Sequence, residues 1–162
     1  MPPGRARFRR GHWKTGLRSC NKGQTRPGDT LPSLLMSDLR RILHVDDDEE
    51  ILELVRLSLE LVGGFDLRQF SSAERAIANL GSVQADLVLL DVMMPGTDGP
   101  GLLRIIRQTP GFERIPAVFM TARAEASVNR TLEGDAVLGV VTKPFDPMIL
   151  PSQLLRLWAA RA

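Results

Sequence analysis

The chain has 162 residues, 43% of them hydrophobic, which is enough to form the core of one ordinary domain. Its formal charge is +2, but residues 1–36 carry +7 and residues 37–162 carry −5, so the basic character belongs to the N-terminal segment alone. Cys20 is the single cysteine and His12 and His44 are the only histidines, which excludes an intrachain disulfide and a cysteine or histidine metal cluster. With no apolar run of roughly 20 residues and no signal-peptide pattern, we expect a cytoplasmic protein without membrane contact.

Residues 1–36 are rich in Pro, Gly, Arg and Lys and lack apolar periodicity. We therefore expect a disordered basic extension there, and a domain that occupies residues 37–162. Met36 directly precedes the first apolar run, so a start codon assigned too far upstream is one explanation of the extension. A basic arm for nucleic acid or a membrane surface is the alternative, and no helical basic face supports it.

Apolar runs and helical patterns alternate from Arg41 onward. The runs predict five short strands: RILHV, FDLRQF, ADLVLLD, IPAVFMTA and LGVVT. The helical patterns are EEILELVRLSLELV, SSAERAIANL, GPGLLRIIRQ, SVNRTLEGD and DPMILPSQLLRLWAA, of which the fourth is the least regular. This alternation is typical of a doubly wound α/β domain, in which helices cover both faces of a parallel sheet.

Residues at the helix ends support these assignments. Gly63 is a suitable stop for the first helix. Ser71 is the expected N-cap of the second helix, with Glu74 three residues later completing a capping box. Pro100 suits the first turn of the third helix, whereas we expect Pro151 to interrupt the closing helix early.

Residues suited to chemistry follow four of the five predicted strands. They are Asp46, Asp47 and Asp48 after the first strand, Asp91 at the end of the third, Thr121 at the end of the fourth and Lys143 after the fifth. In such sheets, ligands bind at the carboxyl ends of the strands. Converging carboxylates repel each other unless a cation lies among them, and Mg²⁺ prefers oxygen ligands. The set predicts a magnesium-dependent site in which a carboxylate attacks phosphorus and the hydroxyl and ammonium groups contact the phosphoryl oxygens.

Each of these residues taken singly has a simpler explanation. Asp91 suits a turn or a helix N-cap, and the acidic run DDDEE suits the positive end of a helix dipole. Thr121 is a common strand residue, and Lys143 before a proline suits a solvated loop. We favour the joint interpretation because four strands place such groups at one edge of the sheet.

The motifs ILHVDDD, LVLLDVMMPGTDG, VFMTA and VVTKPF resemble the receiver domain of two-component response regulators, the family typified by the bacterial chemotaxis regulator. The intervals are also similar to the family's: 44 positions from Asp47 to Asp91, 30 from Asp91 to Thr121 and 22 from Thr121 to Lys143. The resemblance extends roughly from Arg40 to Ala160. It implies a flavodoxin-like sheet with strand order 2-1-3-4-5.

The resemblance implies that Asp91 accepts a phosphoryl group from a histidine kinase or a histidine phosphotransfer protein. It implies that Thr121 hydrogen-bonds this group and that Lys143 pairs with it. Asp47 is favoured over Asp46 as the direct Mg²⁺ ligand of the acidic pair. The implied metal ligands are Asp46, Asp47, Asp91 and the backbone carbonyl of Met93. The resemblance further implies a cis Lys143-Pro144 peptide, and it leaves Asp48 as a helix-capping or solvated acid.

The chain departs from the family pattern at positions that affect the signal. Many receivers carry an aromatic residue three positions before the lysine, where this chain has Val140 and no tyrosine anywhere. The usual aromatic switch on the face formed by the fourth strand, the fourth helix and the fifth strand is therefore in doubt. Movement of the Thr121 hydroxyl with loop repacking is the alternative coupling to that face. Met93 and Arg123 occupy places that tune phosphoryl lifetime in the family, and we expect them to hinder or redirect attacking water. Ala122 is small and leaves access to the phosphoryl group open.

The chain ends shortly after the closing helix, so we expect no DNA-binding output domain and no direct DNA binding. The leading hypothesis is a stand-alone receiver that catalyses only its own phosphorylation and dephosphorylation. Whether it is a relay intermediate or a switch that binds a partner stays open. A phosphohydrolase needs a second acid two residues after Asp91, where Met93 stands. An unphosphorylated pseudo-receiver, a pure interaction module, is disfavoured by the intact acidic, hydroxyl and lysine groups.

Overall fold

A computed structural model describes residues 38–122 and 136–161. The extension at 1–36, the predicted helix in SVNRTLEGD and the side chain of Arg123 lie outside these residues, so the expectations for them stay predictions. No helix in the described ranges has the length and apolar character to cross a membrane.

Five parallel strands form one sheet in the order β2-β1-β3-β4-β5, which confirms the predicted order. The strands are β1 (Arg41–Val45), β2 (Asp66–Phe70), β3 (Leu87–Asp91), β4 (Ala117–Thr121) and β5 (Val137–Thr142). β3 and β4 are buried along their whole length because helices cover both faces of the sheet, which explains their continuous apolar sequences. β2 lies at an edge and is the only strand that no predicted site residue follows.

Four α-helices lie within the described ranges. They are α1 (Glu49–Arg56), α2 (Ala73–Asn79), α3 (Gly99–Ile106) and α4 (Leu150–Ala159). Asp48 caps α1 by accepting hydrogen bonds from the backbone N–H groups of Glu50 and Ile51, at 2.9 and 3.4 Å. This confirms Asp48 as a helix-capping residue.

Two predicted helix ends are wrong in detail. Ser72, and not Ser71, caps α2 by accepting a hydrogen bond from the backbone N–H of Arg75 at 3.3 Å. Pro151 lies in the first turn of α4 and does not interrupt the helix. Backbone N–H groups in a first turn have no acceptor within the helix, so a proline there breaks no helical hydrogen bond. Pro100 lies in the first turn of α3, as predicted.

The first helix continues beyond α1 as a π-helix over Leu57–Val62. Its wider turn is visible where the backbone N–H of Gly63 donates to the carbonyl of Ser58, five residues earlier, at 3.0 Å. Val62, at the end of this segment, is 46% exposed. The Ser58 hydroxyl, in turn, donates to the carbonyl of Pro147 at 2.5 Å and connects this segment to the loop before α4.

Strand alternation divides the core into two apolar layers. Val88 and Leu90 face a layer with residues of α2 and α3, whereas Leu87 and Leu89 face a layer with residues of α1 and α4. Because both faces of β3 are packed in this way, the position of its final residue, Asp91, is fixed from both sides.

Candidate functional site

The predicted site residues meet at the carboxyl edge of the sheet. Asp46 follows β1, Asp91 ends β3, Thr121 ends β4 and Lys143 follows β5. These four strands are consecutive neighbours in the sheet, so their ends lie side by side. The edge includes the switch in strand order between β1 and β3, which is where doubly wound sheets bind ligands.

Lys143 bridges the two buried carboxylates of this edge. Its Nζ lies 2.6 Å from Oδ2 of Asp46 and 2.7 Å from Oδ1 of Asp91. The backbone N–H of Lys143 donates to the carbonyl of Thr121 at 2.8 Å, which keeps the start of the lysine loop against the end of β4. The Lys143-Pro144 peptide is cis, as the family resemblance implied.

The backbone orients both carboxylates from their other side. The N–H of Met93 donates to Oδ2 of Asp91 at 2.9 Å, and the N–H of Asp48 donates to Oδ1 of Asp46 at 3.0 Å. Each acid therefore has one oxygen held by the loop that follows its strand and the other directed at Lys143. The Met93 side chain is 72% exposed, in keeping with a position that contributes through its backbone.

Asp46, Asp47 and Asp91 form an acidic cluster that suits a divalent cation. One carboxylate oxygen from each lies within 4.8 Å of the other two. Three carboxylates beside the single ammonium of Lys143 leave a formal charge of −2, which one Mg²⁺ would neutralise. The donor set consists of hard oxygen ligands of the kind that Mg²⁺ prefers, and Asp47 is open to solvent for the waters that this ion retains.

Burial and charge act against each other at the Lys143 bridge. Burial raises the pKa of Asp46 above its ordinary value, and the hydrogen bond from Lys143 offsets only part of that effect. Burial alone would lower the pKa of Lys143, but Asp46 and Asp91 together outweigh it, and the pKa of Lys143 is raised. Lys143 is therefore an ammonium group at neutral pH.

Thr121 and Val140 lie on the neighbouring strands β4 and β5, Thr121 at the carboxyl edge and Val140 two residues before the end of its strand. Thr121 is buried at the end of β4, and the exposed Ala122 follows it. Val140 pairs in register with Phe119 and packs as a half-buried side chain against the apolar layer of α2 and α3. The position three residues before Lys143, where many receivers carry an aromatic residue, therefore holds an aliphatic side chain.

His44 is a site neighbour that sequence reasoning treated only as a possible metal ligand. It is fully buried on β1, two residues before Asp46, and its Nε2 lies 3.9 Å from Oδ2 of Asp46. The available signal was a single polar residue inside the apolar run RILHV. That signal does not show which groups the imidazole contacts.

Comparisons with known proteins agree with this geometry. The family model described as the response regulator receiver domain matches residues 42–154. The transcriptional regulatory protein CseB of Streptomyces coelicolor is 33% identical over 126 residues, which cover 74% of this chain and 49% of that protein. The phosphate regulon transcriptional regulatory protein PhoB of Rhizobium meliloti is 34% identical over 113 residues, covering 70% and 46%. The chain thus spans about half the length of the curated relatives it matches.

Solved structures show the same fold. The signal receiver domain of a signal transduction histidine kinase from Syntrophus aciditrophicus superposes with a TM-score of 0.61 at 29% identity, covering 76% of this chain and 94% of that one. Chemotaxis response regulator CheY4 of Vibrio cholerae gives a TM-score of 0.67 at 23% identity, covering 74% and 98%. At that identity the second comparison concerns the fold alone.

Proposed function

This chain belongs to the family of response regulator receiver domains, and on that premise we propose that Asp91 accepts a phosphoryl group from a histidine kinase or a histidine phosphotransfer protein. The observation that carries the proposal is the bridge from Lys143 to Asp46 and Asp91 at 2.6 and 2.7 Å. The bridge brings a buried carboxylate, a lysine ammonium and an acidic cluster together at the carboxyl edge of the sheet, which supports Asp91 as the nucleophile.

The reaction is an in-line displacement at phosphorus. An Asp91 carboxylate oxygen forms the new P–O bond while the P–N bond of the phosphohistidine breaks and the imidazole leaves. The N–H of Met93 holds Oδ2, so Oδ1 is the oxygen directed at Lys143 and at the incoming group. Lys143 neutralises charge on the transferred oxygens, and the Thr121 hydroxyl hydrogen-bonds one of them.

We propose that Mg²⁺ is held by Asp46, Asp47, Asp91 and the backbone carbonyl of Met93. Bound there, the ion would neutralise the acidic cluster and the charge that develops on the phosphoryl group. The support is the oxygen donor set and its excess negative charge, which also gives Asp46 and Asp47 a shared role. The side chain of Met93 has no part in this function.

The proposed output is contact with a protein, either onward phosphoryl transfer in a relay or altered affinity for a partner. The relatives CseB and PhoB are named as transcription regulators, so a DNA-linked readout through further sequence is the alternative. The chain would catalyse only its own phosphorylation and dephosphorylation, because Met93 stands where a phosphohydrolase needs its second acid. The proposed compartment is the cytoplasm, where the phosphohistidine donor would be formed.

Phosphotransfer profiling tests the proposal. Candidate histidine kinases are phosphorylated with labelled ATP and incubated with the wild-type chain, with Asp91→Asn and with Asp66→Asn, a control that removes an exposed carboxylate from edge strand β2. We expect label in the wild type and in Asp66→Asn but none in Asp91→Asn. Label that persists in Asp91→Asn contradicts the assignment of the phosphoacceptor.

A further inference from the structure

His44 is a polar side chain in an otherwise apolar layer. It lies on the same face of β1 as Ile42, in the layer that packs against α1 and α4, and it is completely buried. Its register partner on β2 is Gln69, and its nearest charged neighbour on its own strand end is Asp46. Burying an imidazole in such a layer costs free energy, so its contacts need an explanation.

The contacts of Gln69 determine the tautomer of His44. The Gln69 side-chain nitrogen donates to the carbonyl of Leu52 at 2.8 Å and lies 2.9 Å from Nδ1 of His44. A backbone carbonyl only accepts hydrogen bonds, so the atom facing it must be the amide NH₂ group, and that group donates to Nδ1 as well. Nδ1 is therefore the acceptor, and the proton of the neutral ring is on Nε2.

The same hydrogen bond shows that the ring is neutral. Nδ1 accepts a hydrogen bond from the Gln69 amide and so carries no proton of its own, which leaves His44 as an N–H donor through Nε2 alone.

The Nε2–H group has one evident target. Nε2 is buried and hydrogen-bonds to no described residue, and it lies 3.9 Å from Oδ2 of Asp46. That oxygen is the one that Lys143 contacts at 2.6 Å. A buried donor without an acceptor is rare because it loses its hydration without replacement. Here the donor and the carboxylate are about 1 Å beyond ordinary hydrogen-bond length.

We propose that His44 is a positioning residue for Asp46, with Gln69 fixing the ring so that the Nε2 proton is directed at Oδ2 of the carboxylate. The inference rests on the proposed function. When Lys143 pairs with a phosphoryl group on Asp91, it withdraws from Asp46, and His44 is the donor that remains to hold Oδ2. Together with the N–H of Asp48 on Oδ1, it keeps the carboxylate oriented toward a divalent cation.

The positioning role and a packing role predict different Mg²⁺ affinities for His44→Leu. Leucine is similar in volume and removes the unpaired Nε2–H, but it also leaves the Gln69 amide without its acceptor Nδ1, so the free energy of unfolding should fall modestly in either case. If His44 positions Asp46, the variant loses the N–H that holds Oδ2, and Mg²⁺ binding should weaken. A histidine retained only for packing would leave Mg²⁺ binding unchanged.

The test is a titration of the full chain with Mg²⁺ alone, in which the backbone amide chemical shifts around the acidic cluster report binding. We expect the dissociation constant to rise about tenfold in His44→Leu, as is typical when a ligating group loses its outer partner. His44→Gln retains an N–H donor at the end of the side chain and should stay within about threefold of wild type. Ile42→Val, on the same face of β1, is the matched control and should leave the affinity unchanged.

A second measurement does not depend on any variant. Long-range proton–nitrogen correlation of the wild-type imidazole should show the Nε2–H tautomer, and the Nδ1–H tautomer would overturn the proposal. So would equal Mg²⁺ affinity in wild type and His44→Leu, which would leave the proposed function standing. Wild-type protein that does not bind Mg²⁺ at all would instead count against the proposed function itself.

Discussion

The aspartates at the two ends of the parallel sheet differ in the donors that surround them. At the amino end, Oδ2 of Asp86 accepts hydrogen bonds from the backbone N–H groups of Arg40 and Arg41, at 3.1 and 2.8 Å. Its Oδ1 accepts another from the Arg41 guanidinium at 2.6 Å. One carboxylate there has several donors and links the starts of β1 and β3. At the carboxyl end, by contrast, Asp46 and Asp91 share one ammonium group.

The pKa values express the same difference. Burial works to raise the pKa of Asp86, but Arg41 and the backbone donors outweigh it, and the pKa is lowered. At the other end, burial prevails and the pKa of Asp46 is raised. At the amino end, where the contacts are structural, the charge of Asp86 is balanced by Arg41. At the carboxyl end, where the chain is proposed to bind a cation and a phosphoryl group, negative charge is in excess.

The largest expected effect is loss of phosphorylation at the carboxyl end without loss of the fold. Asp91→Asn should reduce phosphoryl incorporation about 100-fold or more, because the nucleophile is removed. Its free energy of unfolding should change by less than about 1 kcal/mol, since Lys143 keeps Asp46 and one like charge disappears. Label incorporation and urea unfolding measure the two quantities, and unfolding of the variant would contradict the contrast between the sheet ends.

At the carboxyl end, adding a side-chain carbon should reduce the free energy of unfolding more than removing a charge does. A Cβ on Gly99 would overlap the backbone carbonyl of Asp91, whereas a Cβ on Gly81 meets no atom within 4 Å. We expect Gly99→Ala to lose about 2–3 kcal/mol in unfolding free energy. Gly81→Ala should stay within about 1 kcal/mol of wild type. Urea unfolding of the two variants measures the difference. Equal stability would contradict the close approach of α3 to β3.

At the amino end, Asp86→Asn should do the reverse of Asp91→Asn. The amide loses the charge-assisted hydrogen bonds from Arg41, so we expect a loss of about 1–2 kcal/mol in unfolding free energy. Phosphoryl incorporation should match wild type, because Asp86 lies at the other end of β3 from Asp91. A variant of unchanged stability that is phosphorylated poorly would refute this division of roles.

The smallest effect is the opposite pH dependence of the two ends. Asp86 has a lowered pKa, so its stabilisation is complete above the ordinary aspartate pKa of about 3.9 and is lost as pH falls further, through its folded pKa. Asp46 has a raised pKa, so its folded form binds more protons and its contribution falls as pH rises through that value. Relative to wild type, Asp46→Asn should gain stability and Asp86→Asn should lose it as pH rises. Unfolding curves at several pH values would show parallel trends if this is wrong.

The sheet and the position of its site residues were predictable because both follow from local patterns. Buried parallel strands are apolar runs, and Asp46, Asp91 and Lys143 come at or directly after such runs. The strand order and the cis Lys143-Pro144 peptide came from the family resemblance, and the structure agrees with both.

What could not be predicted depends on residues far apart in the chain. The tautomer of His44 depends on Gln69, 25 positions later, and Asp86 pairs with Arg41, 45 positions earlier. Ser71 and Ser72 are equally good N-caps by residue type, so residue type alone does not select Ser72. The π-helical turn over Leu57–Val62 likewise has no signal in an amphipathic pattern.

Phosphorylation by a small acyl phosphate donor, mapped by mass spectrometry, tests the central claim most directly because it needs no cognate kinase. The predicted result is one phosphoryl group per chain, located on Asp91, dependent on Mg²⁺ and absent from a folded Asp91→Asn variant. Asp86→Asn, at the balanced end of the sheet, should be modified like the wild type. A phosphoryl group on another residue, such as Asp47, or incorporation that does not require Mg²⁺, would contradict the account.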